Sequence, residues 1–212
     1  HSAKEVARHV ALAREASVKG AAADVEHSAG TWQITVVSLD RPFLFASLAG
    51  ALAGFGMNIV KAEAFGNEAG LVVDTFAIED PHRTLELNPE EVQRLRKVLV
   101  KVALGEKDAQ TMLRARPKPT GWRAKLSPRV RFDNEAATGA TLIEIIAEDR
   151  PGLLHDLATT LSRSGCDIDV VLIDTEAHQA LDVFYVRYGG GRLPEDLHGE
   201  LRDQLLTICS VV

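Results

Sequence analysis

The chain of 212 residues carries 30 acidic and 24 basic side chains, a formal net charge of -6, and 46% of it is hydrophobic. This is ordinary globular composition with ample apolar material for a core, and its sign argues against wholesale binding to nucleic acid or anionic membrane. Cys166 and Cys209 form neither a CxxC pair nor a disulfide framework, and no run nears the roughly 18 apolar residues of a membrane span, so a cytoplasmic setting is expected.

A start at His1 rather than Met reads as a processed, tagged or excised fragment. Ser2-Ala3-Lys4-Glu5 has the form of a capping box, and Val6 and Val10 follow at helical spacing. That helix is expected to end near Lys19-Gly20. Residues 23–27 and 32–37 are extended runs about the break Ser28-Ala29-Gly30, a hairpin leading into a β-strand. Residues 1–30 thus form a leading helix and hairpin.

The turn Leu39-Asp40-Arg41-Pro42-Phe43-Leu44-Phe45 comes next. Beyond it Leu44, Phe45, Leu48, Ala49 and Leu52 recur on one helical face, and Gly54 and Gly56 stop the helix. Residues 57–65 and 71–78 read as strands joined by the loop at 66–70. Asn88-Pro89-Glu90-Glu91 supplies a cap, a proline and two first-turn acids, a helix start whose apolar face is Val92, Leu95, Val98, Leu99 and Val102. Residues 31–108 make a first domain. Residues 109–132 hold seven Lys/Arg, three prolines and no acid. They read as a linker running into a short strand, 130–132, so that 109–140 is a linker with the closing strand of the first domain.

The pattern then repeats over 141–212. Asp149, Gly165 and Asp167 stand 109 positions after Asp40, Gly56 and Asn58, and the helix face returns as Leu153, Leu154, Leu157, Ala158 and Leu161. A last helix around 194–206 places Leu197, Leu201, Leu205 and Ile208 on one side. Each unit is β-α-β-β-α with room for a closing strand, and βαββαβ is the ferredoxin-like plait, an α+β fold with both helices on one sheet face. The closing strand of the second unit is expected to be short, absent or supplied from elsewhere.

Such a plait with Asp149-Arg150-Pro151-Gly152-Leu153-Leu154 after its first strand resembles the ACT domain family, over about residues 31–132 and from 141 to the end. ACT domains are regulatory modules that bind amino acids where two of them pack together. The strings Asn58-Ile59-Val60, Asp74-Thr75-Phe76, Arg131-Phe132-Asp133-Asn134-Glu135-Ala136 and Asp182-Val183-Phe184-Tyr185-Val186 resemble more narrowly the C-terminal tandem ACT region of the bacterial protein-PII uridylyltransferase/uridylyl-removing enzymes, which respond to glutamine. The resemblance implies glutamine as the favoured ligand, ACT–ACT pairing within the chain or between copies, and, in a longer parent, catalytic domains and a PII-type protein as partners. Those enzymes keep their chemistry in nucleotidyltransferase and HD domains, so no catalysis, cofactor or metal is expected here.

The repeated turn carries the site. Pro151 fixes its own φ, Gly152 lets a ligand approach the backbone, and the first amides of the following helix suit a carboxylate. The expected ligand contacts are Asp149, Arg150, Pro151, Gly152, Leu153 and Leu154, with Asp167 and Ile168 opening the facing strand. The first copy offers Asp40, Arg41, Phe43, Leu44, Asn58 and Ile59. Phe43 stands where the second copy has Gly152 and would fill the ligand's space or pack against the partner unit, so the second turn is the favoured site.

Other residues read more plainly. His155-Asp156 spells an HD pair but is expected to be solvated, and Asp167-Ile168-Asp169 to be strand alternation rather than a Mg²⁺ pair. Gly56 and Gly165 are left-handed helix ends. Trp32 and Trp122 are packing residues, and His178 is a solvated loop residue. The competing reading is an ACT-type dimerisation module without ligand, paired through an exposed sheet edge. Nucleic-acid binding by the basic linker around Trp122 ranks below both.

Overall fold

The computed structural model describes residues 3–28, 30–67, 69–116, 126–176 and 179–210. Trp122 and His178 lie outside the described residues. Helix α1 (Ala3–Lys19) precedes β1 (Ala21–Ser28), β2 (Thr31–Leu39), α2 (Leu44–Phe55), β3 (Asn58–Gly66), β4 (Leu71–Glu79), the single turn α3 (Thr84–Leu87), α4 (Pro89–Ala103) and α5 (Ala109–Arg114). The second half runs β5 (Arg129–Asp133), β6 (Thr141–Glu148), α6 (Leu153–Arg163), β7 (Cys166–Glu176), β8 (Gln179–Tyr188) and α7 (Glu195–Ser210).

The strands form one sheet ordered β1-β2-β4-β3-β7-β8-β6-β5, antiparallel at every pairing. Each half is a ferredoxin-like unit, as the βαββ alternation implies. The two meet where β3 pairs with β7, from Lys61 opposite Asp174 to Phe65 opposite Val170. Glu63 opposite Leu172 lies at the centre of that register. These two residues are themselves repeat equivalents, so the halves are related by a pseudo-two-fold axis through this pair.

The place beside each unit's first strand is filled by the strand before it, not after it. Strand β5, expected to close the first unit, pairs instead with β6, from Arg129 opposite Ile146 to Asp133 opposite Leu142. Two causes are local. The β2 edge is already taken by β1. The turn after β5 is fixed by Asp133 Oδ1, which accepts from the amides of Glu135 (2.9 Å) and Ala136 (3.0 Å), and by Thr141 Oγ1 donating to Asn134 Oδ1. A short closed loop costs less entropy than a pairing made across the linker. The second unit's closing strand is thus supplied by β5, and Thr207 to Ser210 continue α7 as helix.

One apolar core runs under both units. Ile34, Leu48, Leu52, Phe76, Leu95 and Leu99 are wholly buried in the first half, and Ile143, Ile145 and Phe184 in the second. Burying each such side chain stabilises the fold by about 1.5–3 kcal/mol. Helix α1 covers the opposite sheet face, where Leu12 and Ala16 meet Ala22 and Val37. Arg8 anchors it through an ion pair with Glu26 and a 3.2 Å bond to Thr35 Oγ1.

Helices α2 and α6 lie side by side across the unit boundary. The small residues of α2 allow the approach: a Cβ on Gly50 would come within 2.6 Å of His155 Nδ1. That nitrogen is 2.7 Å from the carbonyl oxygen of Ala46. A carbonyl only accepts, so Nδ1 carries the proton. His155 is therefore buried, not solvated as the sequence suggested, because a polar ring with one matched acceptor can replace apolar packing there. Its neighbour Asp156 pairs with Arg150 at 2.7 Å.

Candidate functional site

The turn after β2 is held from both sides. The Asp40 amide donates to the carbonyl of Gly70 at 2.8 Å, fixing the turn to the β3–β4 hairpin. Phe43 adopts φ 63°, a left-handed conformation that a ring-bearing residue enters at a cost, and α2 begins immediately after it. No side chain caps this helix start and no acid stands in its first turn. The positive end of the helix dipole there is left uncompensated by its own sequence.

A cavity of about 740 Å³ opens at this turn. Asp40, Arg41, Pro42, Phe43, Leu44 and Phe45 form one wall, and Ala64, Phe65, Gly66 and Val72 a second. The third comes from the other unit: Gly165, Cys166, Asp167, Ile168, Asp169 and Val170, with Arg187 beside them. The first turn thus faces the strand opening of the second unit. Asp167 and Ile168, expected to serve the second turn, line this cavity. Phe43 borders the space and does not fill it, and is itself 38% exposed.

The arginines of the two turns do structural work. Arg41 donates through Nε to the carbonyl of Ala103 (2.8 Å) and through Nη2 to that of Val102 (2.6 Å), closing the last turn of α4. Arg150 likewise reaches the carbonyl of Ile208 in α7 at 3.2 Å and pairs with Asp156. Both guanidinium groups, which the sequence marks as ligand contacts, bond to helix ends. The cavity's other cation, Arg187, is paired with Asp169 at 2.6 Å.

What remains is acidic. Burial raises the Asp40 carboxyl, opposed by the Arg41 amide and reinforced by the negative charges of Asp167 and Asp169. Asp74 is more extreme. It lies in the cavity wall on the central strand β4, between Val36 of β2 and Ala64 of β3, and is 1% exposed. Neither of its carboxyl oxygens has a hydrogen-bond partner. Burial, with Asp40 nearby, pushes it up to about 8, so the acid is largely neutral at neutral pH. Cys166, also on the wall, is pushed up to about 11 by burial and stays a thiol. Among the described residues, no group of three or more His, Cys, Asp or Glu is arranged to hold a metal ion.

Asp74 is not among the ligand contacts expected from the sequence, yet it lines the cavity. The available signal was phase: Asp74, Phe76 and Ile78 alternate on the inward face of β4, and an acid in that phase has no business in a core unless something meets it. Asp182 repeats it in β8, 2% exposed, with Oδ1 unpartnered, and is pushed up to about 7 by burial and Asp149.

The second turn is closed. Gly152 has φ 84° and precedes α6, again without a side-chain cap. A Cβ placed on it would stand 3.1 Å from Leu113 Cδ2. Leu113 belongs to α5, a helix inside the stretch whose composition reads as linker; Asp108 starts it by accepting from the amides of Gln110 and Thr111. Arg116, just beyond α5, lies 3.4 Å from the corresponding point on Gly56 and donates to the carbonyl of Ala53 at 2.8 Å. Asn58, the counterpart of Asp167, bonds Glu79 at 3.2 Å, and Ile59 packs against the core. Leu113 thus packs on Gly152 of the second turn, whereas the first turn borders the open cavity.

No protein family model matches the chain. It is 33% identical over 88% of its length to a bifunctional uridylyltransferase/uridylyl-removing enzyme of Caulobacter vibrioides, spanning 20% of that protein. Enzymes of the same name from Phenylobacterium zucineum (35% identity over 90% of the chain) and Gluconobacter oxydans (36% over 74%) are matched over 21% and 17% of their lengths. Among solved structures, an aspartate kinase from Synechocystis matches 82% of this chain and 26% of that one, at 16% identity and a TM-score of 0.44. The chain, a tandem of two ferredoxin-like units, is related by sequence to the bifunctional uridylyltransferase/uridylyl-removing enzymes over about a fifth of their length.

Proposed function

We propose that the chain is an allosteric regulatory module that binds one amino acid, L-glutamine by preference, in the cavity at the first turn. The observation that carries this reading is the cavity's position at the junction of the two units, between an uncapped helix start and an acidic strand opening. A zwitterion matches both ends. Its carboxylate sits at the amides of α2, and its ammonium on the acidic wall of the cavity.

Charge also favours glutamine over glutamate. With Arg41 bound to α4 and Arg187 already paired to Asp169, an added side-chain carboxylate would find no uncommitted cavity arginine and would face Asp40 and Asp167. An amide of the same shape avoids that repulsion. Because walls come from both units, occupancy favours one arrangement of the β3–β7 junction over others, which is the differential affinity that allostery requires. In a longer parent, that bias would act on catalytic domains handling a PII-type protein.

Isothermal titration of L-glutamine into this chain tests the reading. A saturable heat and a thermal shift support it. No heat and no shift at millimolar glutamine, with other amino acids equally silent, would sink it in favour of a ligand-free pairing module.

A further inference from the structure

Most buried polar groups in folded proteins have hydrogen-bond partners, and leaving a carboxyl without one costs stability. Asp74 has none at either oxygen, in the wall of an open cavity, at a position where the alternation of β4 calls for an apolar residue. We infer that Asp74 is the counter-ion of the ligand's ammonium group and gives its proton to solvent when the ligand binds. This rests on the amino-acid reading above and adds to it a recognition residue and a proton count.

The charges around the cavity fit that role. Asp40 and Arg41 come from the first turn, Asp167 and Asp169 from β7, and Arg187 from β8. Both arginines are engaged elsewhere, so none of them neutralises Asp74. In the empty cavity the carboxyl keeps its proton, because burial and Asp40 disfavour the anion. An ammonium placed beside it reverses the balance: the carboxylate becomes the stable form and one proton leaves. Asp182 is the internal control. It is buried in the same way, but the turn of its unit is covered by Leu113.

The test uses the whole chain with L-glutamine, then each other proteinogenic amino acid, as probe. Titration of the binder near neutral pH, in two buffers of different ionisation enthalpy, reads protons released per ligand. Wild type is expected to release close to one proton. Asp74→Asn is expected to release none and to bind on the order of tenfold more weakly or worse, the loss of one charge-assisted contact. Asp182→Asn is expected to match wild type in both, and N-acetyl-L-glutamine, which lacks the ammonium, is expected not to bind. If Asp74→Asn does not fold, as judged by circular dichroism, the proton count of wild type and the acetylated probe decide. Unchanged affinity in Asp74→Asn, wild-type binding without proton release, or binding of the acetylated probe overturns the role of Asp74 and leaves the amino-acid reading standing. A wild type silent to every amino acid overturns both.

Discussion

His155 Nδ1 stands 2.7 Å from the carbonyl oxygen of Ala46, joining α6 of the second unit to α2 of the first. The ring lies against Gly50, where a Cβ would come within 2.6 Å of it. Gly50→Val must therefore displace the imidazole and part the helices. The expected cost is about 1–3 kcal/mol, the usual range for overpacking, seen as a lower Tm. Since the cavity walls come from both units, glutamine affinity should fall with it. A variant with wild-type Tm would show that this contact does not hold the units together.

Arg41 closes the end of α4. Arg41→Ala leaves the carbonyls of Val102 and Ala103 without that donor and is expected to cost about 1.5–3 kcal/mol in denaturant unfolding, the range for bonds to charged groups. If the variant keeps its stability and loses only ligand affinity, Arg41 belongs to the binding site after all.

Stoichiometry follows from α5. Two turns repeat, but Leu113 covers Gly152 and only the first turn borders the cavity described above. Titration should therefore give one glutamine per chain. A ratio of two would mean that α5 gives way to ligand.

Asp74 and Asp182 set a pH dependence of stability. Their folded carboxyls are raised to about 8 and about 7 from an ordinary value of 3.8. A raised acid binds more protons in the folded state than in the unfolded one, so its contribution is fully present below 3.8 and is lost as pH climbs through the folded value. Stability should fall between about pH 4 and pH 8, and Asp74→Asn together with Asp182→Asn should flatten that slope. Urea midpoints measured across this range check it; a slope unchanged in the double variant would contradict it.

Much of the fold was legible in the sequence because its signals are local and repeated. The helix face Leu153, Leu157, Ala158 and Leu161 and the hairpin at 66–70 each declare themselves within a few residues, and the repeat doubles the signal. Strand partnership was not legible. Whether β5 pairs with β2 or β6 depends on which edge is free, and that is settled by β1, far away in sequence. Of the residues lining the cavity, the Asp40-Arg41-Pro42 turn, Asp167 and Ile168 stand out in the sequence. Which copy is open could not be read, because the difference lies less in Phe43 versus Gly152 than in where Leu113 comes to rest. The tertiary roles of Arg41, Arg150 and His155 depend on carbonyls 58 to 109 positions away, beyond any local pattern.

Everything proposed for the module depends on an amino acid binding at the first turn, between the two units. Amide chemical-shift mapping of the labelled chain with L-glutamine tests it most directly. Binding there gives shifts concentrated at Asp40 to Phe45 and Cys166 to Val170, saturating together. Shifts gathered instead at Asp149 to Leu154 and Asn58, or none at millimolar glutamine, would contradict it.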